Sequence, residues 1–518
     1  MMQRAPIPVI DLFAGPGGLG EGFSSLADGD GNRRFEVKMS IEKDEIAHKT
    51  LSLRALFRSF PEGKVPDCYY DYVRGKIKRE DLFANPAVEQ QGRQALTEAR
   101  CAELGKTAHQ TIDGWIRKAV GDANEWVLIG GPPCQAYSLA GRSRLRPKDP
   151  KAFESDKRHF LYTEYLRIIR LFGPSIFVME NVKGMLNSQH GGSSIFERIL
   201  ADLSDPGGES SYVVRSLVVD GDELDPLDYL IESENFGVPQ CRHRVILFGV
   251  RSDLARAAAP ALALDPGRFK LTKAAKKVSV NAALDGLPAL RSRLSQKNDS
   301  HRVWRSTLKK TPQSLNLWRL PIRTDIAAAM TIAWQGAEVH TSAGSPFIEG
   351  PVSMDGALPA PLRKWLHDER LGGILQHQSR SHMGSDLHRY MFAACYAALQ
   401  GYSPNLRQFP PKLLPAHENM KDDKIPFVDR FRVQLAGEPS TTVVSHICKD
   451  GHYYIHPDAS QCRSLTVREA ARLQTFPDSY YFEGNRTQQY HQVGNAVPPL
   501  LARQIAEVVL DFMQASRR

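Results

Sequence analysis

Four short apolar runs, each ending on residues able to do chemistry, constrain this chain more than any other feature. Pro8-Val9-Ile10 runs into Asp11, Val37 to Ile41 ends at Glu42, and Ser175 to Met179 delivers Glu180-Asn181-Val182. The remaining run, Trp126 to Ile129, meets Gly130-Gly131-Pro132-Pro133-Cys134-Gln135. Short continuous apolar runs bounded by turn residues read as buried strands. Parallel strands joined by right-handed crossovers bring their carboxyl ends to one edge, where open α/β sheets bind ligands. Tyr212 to Val219 and Arg244 to Val250 read as two further strands. The expected fold is α/β, a Rossmann-like core with a mostly parallel sheet and helices on both faces.

Proline has a fixed φ and no N–H for a ladder, so the third run must stop at Pro132-Pro133. That places Cys134 on a stiff loop at a strand's carboxyl end. A lone cysteine is usually a small buried hydrophobe; the rigid lead-in and the polar Gln135 and Ser138 point instead to a nucleophile. After Asp11, the turn Phe13-Ala14-Gly15-Pro16-Gly17-Gly18-Leu19-Gly20 opens a helix, and Gly15, Gly17 and Gly20 have dinucleotide-fingerprint spacing. Glu42 follows at the distance where an acid meets a ribose hydroxyl. An adenosine-bearing cofactor is the expectation, although Glu42 alone is equally a solvated acid or a helix start.

With 518 residues the chain can bury more than one core, and its net charge of +9 fits a polyanionic partner. No apolar run approaches the ~18 residues of a membrane span, and the amino-terminal stretch lacks a signal-peptide apolar region. A cytoplasmic protein with reduced thiols is expected, its 7 cysteines being odd in number and unpaired in spacing. His446, Cys448, His452, His456 and Cys462 match no familiar metal spacing, and the tract reads as a hairpin around Lys449-Asp450-Gly451. No metal is expected. Residues 50–118 are polar and helix-like, an insertion between the second strand and the Cys134 strand. A basic run, Arg142, Arg144, Arg146 and Lys148, follows Cys134, and Phe160 to Leu171 has helical periodicity. From about 256 the alternation stops. His301 to Arg323 then holds six Lys/Arg, two Trp and no acid, either a solvated surface over core tryptophans or a nucleic-acid face. Order returns at Arg463 to Gln474, where Thr466 and Glu469 can form a capping box. Gly494-Asn495-Ala496-Val497 leads into a last amphipathic helix with Leu501, Ile505, Val508, Val509 and Phe512 on its stripe.

The glycine turn 11–20, Pro132-Pro133-Cys134-Gln135, Glu180-Asn181-Val182, Gln240-x-Arg242-x-Arg244, Arg463 to Pro477 and Gly494 to Val497 resemble, in order, the successive motifs of the cytosine-5 DNA methyltransferases. The resemblance covers roughly 7–250 and 455–515. It implies a catalytic domain over 1–255, a smaller target-recognition domain over 256–455, and a segment, 456–518, returning to the catalytic domain. It also implies S-adenosylmethionine as cofactor and double-stranded DNA as partner. Such an enzyme would act as a monomer, with any restriction endonuclease encoded separately. By the same resemblance Asp11, Phe13, Gly15, Gly17, Gly18 and Pro132 would belong to the cofactor site, Glu42 would bind its ribose, and Leu161 would pack on its adenine. Asn495 and Ala496 would close that pocket. Cys134 would be the nucleophile, Glu180 would hold the cytosine N3 edge and Arg244 the O2 edge, with Gln240 and Arg242 as supports. The acid that meets the adenine amino group has no clear equivalent; Asp113 is the candidate.

The chemistry suits these residue types. A thiolate added to C6 makes C5 enamine-like, and cysteine is the side chain best fitted to that attack. Charge then builds toward N3 and O2, where Glu180 in its protonated form and Arg244 could absorb it. A stacked base is out of reach, so the cytosine must be flipped out. A tRNA-methylating enzyme would share these motifs, but the long middle segment favours DNA. An idle DNA-binding homologue would not need Cys134, Glu180 and Arg244. A nicotinamide dehydrogenase rests on the glycine spacing alone.

Overall fold

The structure, a computed structural model, describes residues 5–133, 160–186, 189–190, 193–221, 223–296, 298–314, 324–354, 356, 358–415 and 428–517. Its central sheet has the strands β1 (Ile7–Leu12), β2 (Phe35–Glu42), β3 (Ala99–Cys101), β4 (Val127–Gly130), β5 (Ile176–Val182), β6 (Tyr212–Arg215), β7 (Leu230–Glu232) and β8 (His243–Arg251). The order is β3-β2-β1-β4-β5-β8-β6, with β7 pairing β8 off that path. The first five strands in this order are parallel, and β8 runs antiparallel to β5, β6 and β7.

Near-continuous apolar strands are what a sheet covered on both faces requires. Alternate residues pack on the two faces of the sheet. Val9, Val37, Val127, Ile129 and Val178 pack with α1 (Gly18–Ser24) and the last helix, named α15 below. Ile10, Leu12, Met39, Leu128 and Met179 pack on the other face with α6 (His109–Val120) and α7 (Phe160–Phe172). Between the second and third strands lie α2 (Glu45–Arg58), α3 (Asp67–Val73), α4 (Arg79–Phe83) and α5 (Glu89–Glu98). The stretch 50–118 is therefore not all insertion. It contains β3, paired in parallel with β2, and α6 on the sheet face; three residues, Ala-Arg-Cys, are too short and too polar to announce a strand.

A second core lies in the middle of the chain. It joins α10 (His301–Ser314), α11 (Thr324–Gly336) and α12 (Gly384–Gln400) through Trp304, Leu308, Met330, Tyr390 and Phe392, and it reaches Phe431, Ile455 and Cys462. (The helices Ile195–Ser204 and Ser252–Leu264 are α8 and α9.) The flanks of this segment belong elsewhere. Phe269 and Leu271 pack with the sheet, while Val280, Ala283, Val443 and Ile447 pack with the returning α13 (Val467–Leu473) and α14 (Arg486–Asn495). The tract around Lys449 to Gly451 is not a hairpin: Ser445–Cys448 is a single 3-10 turn. His452 and Cys462 are partnered separately, His452 Nδ1 with Tyr390 Oη at 2.6 Å and Cys462 Sγ with Ala459 O at 3.0 Å. Among the described residues no group of His, Cys, Asp and Glu could hold a metal ion. Nor is any described helix long and apolar enough to cross a membrane.

The expected capping box holds, Thr466 N donating to Glu469 Oε2 at 2.7 Å and Glu469 N to Thr466 Oγ1 at 3.2 Å. The last helix, α15 (Pro499–Ala515), buries Leu501, Ile505, Val508, Val509 and Phe512 as its stripe predicts. It crosses α1 so closely that a Cβ on Gly22 would stand 2.5 Å from the Arg503 nitrogen. Overpacking against backbone costs about 1–3 kcal/mol. Gly22→Ala should therefore lower stability by about that amount in urea unfolding, and an unchanged midpoint would contradict this packing.

Candidate active site

A cavity of about 610 Å³ opens where the carboxyl ends of β1, β2, β3, β4 and β5 meet. Phe13, Gly15 and Pro16 enter it from the turn after β1, and Glu42 from the end of β2. Ala102, Glu103 and Leu104 follow β3; Gly131, Pro132 and Pro133 follow β4; Glu180, Asn181 and Val182 end β5. Leu161 of α7, Arg242 and Arg244 of β8, residues 444–446 and Asn495 of α14 complete the wall. The strand-end convergence expected from the sequence is thus present in the folded chain.

Phe13 has φ 57°, which turns the chain sharply off β1. Gly15 follows at φ +57°, and space lies open where its side chain would be. Glu42 braces this turn: Oε2 accepts from Gly15 N at 2.8 Å and Oε1 from Asp44 N at 2.8 Å. A carboxylate has about four acceptor positions, so two remain for hydroxyls entering the cavity. On the opposite wall, Glu180 and Arg244 stand on one face of adjacent strands, Arg244 being opposite Val182 in the register. Arg244 Nε lies 2.8 Å from Glu180 Oε1. Gly131 leaves room for that carboxylate, since a Cβ there would be 3.0 Å from Glu180 Oε2. Arg242 is buried, Nη1 donating to Val443 O at 3.1 Å and Gly494 O at 3.3 Å. Burial first, then the neighbouring Arg244 charge, pull its pKa down to about 9.

Several expected site residues lie elsewhere. Gly17 and Gly18 do not line the cavity; they are packing glycines, Gly17 against Leu51 and Tyr480 and Gly18 against the Val497 carbonyl. Ala496 is core, packed with Val493 and Phe476. Gln240 faces away, Nε2 donating to Gln474 Oε1 at 3.0 Å and Oε1 accepting from Val443 N at 2.7 Å. Asp113 pairs with Arg167 at 2.8 Å outside the cavity. The end of β3 supplies Glu103 instead, its carboxyl 2.8 Å from Lys106 Nζ. Missing β3 in the sequence hid Ala102 to Leu104, and His446 and His491 carried no motif to mark them as lining. Cys134, with Gln135 to Ser138 and the run Arg142 to Lys148, lies outside the described residues.

Asp11 is also displaced from its expected role. It is fully buried in β1 and absent from the cavity wall. Neither carboxyl oxygen makes a full hydrogen bond, although the Gly20 N–H faces them. Burial pushes its pKa from 3.8 up to about 8, against the opposing pull of Arg58.

The basic stretch 301–323 divides as well. Arg305 forms an ion pair with Glu338 and lies 5.0 Å over the Trp334 ring. Arg302 and Lys309 are exposed on α10. Trp304 is fully buried, its Nε1 donating to Ser292 Oγ at 2.9 Å. The Lys310 side chain, Arg319 and Arg323 lie outside the described residues.

Strand order, the antiparallel β8 beside β5 and the cavity at the carboxyl edge define a Rossmann-like methyltransferase core. The profile of the C-5 cytosine-specific DNA methylases matches residues 117–511. The type II methyltransferase M.Bpa9945I of Bacillus paralicheniformis is 31% identical over 98% of this chain and 99% of its own. The type II methyltransferase M.AgeI of Thalassovita gelatinovora is 28% identical over 96% and 98%. The solved structure of a prophage-encoded DNA modification protein from E. coli superposes with TM-score 0.55 at 18% identity, over 98% of this chain and 99% of that one. The chain belongs to the C-5 cytosine-specific DNA methylase family and is a DNA (cytosine-5-)-methyltransferase. Membership implies methyl transfer that depends on S-adenosylmethionine, with DNA as substrate.

Asp11 yields a pH prediction. The folded chain keeps a proton there that the unfolded chain releases above its pKa of 3.8, so this contribution is full below about pH 4. It is lost as pH rises through about 8. Asp11→Asn has no charge to bury, so between pH 5 and 8 it should lose less stability than the parent, by an amount on the order of a few kcal/mol. Urea unfolding at both pH values checks this; parallel profiles would rule out the buried proton.

Proposed function

We propose that the enzyme methylates C5 of a cytosine flipped out of a specific double-stranded DNA sequence, through a covalent bond between Cys134 and C6. The observation that carries this reading is the pairing of Glu180 with Arg244, 2.8 Å apart, in the same cavity as Pro132 and Pro133, the two residues before Cys134. A pyrimidine edge placed there would meet a carboxyl at N3 and a guanidinium at O2, where charge builds during attack on C6. Arg242 acts one step back. Its bonds to the Val443 and Gly494 carbonyls fix the wall from which Arg244 projects.

The opposite half of the cavity fits S-adenosylmethionine: Phe13 and Gly15 at the sharp turn, Glu42 for the ribose, Leu161 for the adenine face and Asn495 across the opening. When bound it supplies an electrophilic methyl group. Cys134 thiolate adds to C6 and C5 becomes nucleophilic; once C5 carries the methyl group it loses its proton, and the thiol departs. Sequence choice falls to the second core, between Leu294 and Cys462, where Arg302 and Lys309 are exposed. On this reading the protein works in the cytoplasm as a monomer, and a partner endonuclease is a separate chain.

Cys134→Ser should abolish methyl transfer while leaving cofactor and DNA binding in place. On DNA containing 5-fluorocytosine, whose fluorine blocks release, the parent should be trapped covalently. Trapping of the serine variant at the parent level would remove Cys134 from the nucleophile role. Glu42→Ala should weaken S-adenosylmethionine binding roughly tenfold or more, as expected for hydrogen bonds to a carboxylate. Calorimetry showing unchanged affinity would dismiss the ribose assignment.

A further inference from the structure

A second cleft, of about 320 Å³, lies on the same two elements as the active cavity. The 3-10 turn and α14 are shared: Ser445, His446, His491, Gln492, Gly494 and Asn495 face the first, Cys448, Lys449, Arg486, Thr487 and Tyr490 the second. Five residues of helix advance ~7.5 Å. The second cleft is lined by Arg380, Lys449 and Arg486, with Arg293 close behind. None of these four cations forms an ion pair among the described residues, unlike the buried Arg54, Arg463 and Arg472, each of which holds a carboxylate. Arg380 is buried, 3.8 Å over the Tyr490 ring, and donates to Ile447 O. Arg486 donates to Ser379 O at 2.9 Å. Burial first, and then the Arg380 and Arg293 charges, hold the Arg486 pKa below its ordinary value.

The two carboxylates on the cleft wall do not neutralise this group. Asp386 is held by Arg389 at 2.8 Å, and Asp450 accepts from His452 N at 3.0 Å with Arg430 3.6 Å away. The 17-residue α12 starts at this cleft from Met383, and no side chain caps its first N–H groups. Unpaired buried cations are costly, and uncapped helix starts favour anions. We infer that this cleft holds a backbone phosphate of the DNA. The inference rests on the DNA-methylating function proposed above and adds to it a contact beside the active cavity.

Lys449→Gln and Arg486→Gln test it in the full-length chain, Lys449 being exposed so that its loss leaves the fold alone. With duplex plasmid fragments as probe, each variant should bind roughly tenfold more weakly at low salt. The slope of log affinity against log salt should fall by about one, equally on methylatable and unrelated fragments. The double variant should lose one unit, not two, because both cations serve one phosphate. Unchanged affinity and slope in both single variants, beside a parent that binds and methylates DNA, overturn the phosphate site alone. A parent that neither binds nor methylates duplex DNA overturns the functional reading and this inference together. A change in the methylated sequence without a change in slope also overturns it, since base readout would then be the role.

Discussion

Much of this structure depends on how one buried arginine is satisfied. Arg468 is fully buried on α13 and forms no ion pair among the described residues. It donates instead to three carbonyls, Leu375 O at 3.0 Å, Pro477 O at 3.1 Å and Tyr480 O at 2.7 Å. Burial pulls its pKa down to about 10, so it is still a cation at neutral pH. A buried charge is tolerated only where its donors are met, and removing a partner is strongly destabilising. The three carbonyls belong to the middle of the chain and to the returning segment, so one side chain fixes both. Arg463 and Arg472 join the same segments with a carboxylate beside each, the first bidentate to Glu469 and donating to Leu290 O at 3.3 Å, the second reaching Asp478 and the Asp285 carbonyl.

This fastening explains how residues far apart in the chain share one cavity. α15 and the turn before it can sit on α1 only because Gly22 presents no side chain to Ala502 and Arg503, and Gly18 none to the Val497 carbonyl. Once it does, the residues just before it are carried to the glycine turn, and Asn495 faces Phe13 and Gly15. Thr50 donates to Gln492 at 2.6 Å and Tyr480 to the Pro16 carbonyl, closing the same seam. The cofactor half of the cavity is thus assembled by packing, whereas the Glu180 and Arg244 half is assembled by β-sheet register.

What the sequence made legible follows the same division. Strand ends, the capping box and the last helix were readable because each rests on local patterning, alternation, spacing or a helical stripe. The roles of Gly17, Gly18 and Ala496 were not, because a glycine kept for a ligand and a glycine kept for a neighbouring helix look alike in a sequence. Gln240 shows the same ambiguity: its amide bridges Gln474 and Val443, partners two hundred residues and more away. β3 was missed because three residues on a sheet edge need no apolar run. The Arg305 ion pair was not readable there either, because its partner, Glu338, lies beyond the acid-free stretch 301–323.

The long excursion between α2 and β3 takes its meaning from what it touches. Helices α3 to α5 do not enter the cavity, and their core of Tyr69, Tyr70, Val73, Leu82 and Val88 closes over Leu371 and Leu375 from the middle of the chain. Leu375 lies in β10 (Gly373–Gln378), which pairs antiparallel with β9 (Gly344–Glu349). Arg370, just before β10, donates to Gly63 O at 3.0 Å and reaches Asp67 at 2.7 Å, while Arg74 donates to Leu371 O at 3.1 Å. From the same helices Tyr72 and Arg79 both meet Glu483, each at 2.6 Å. An exposed pair adds little stability, but these groups are anchored to backbone carbonyls and rest on an apolar floor. The excursion therefore acts as a strut. It grows out of α2, the helix that follows Glu42, and fixes the β9–β10 pair to the cofactor side by a route separate from Arg468. Two independent fastenings between the same bodies restrict rotation as well as separation, which one alone would not do.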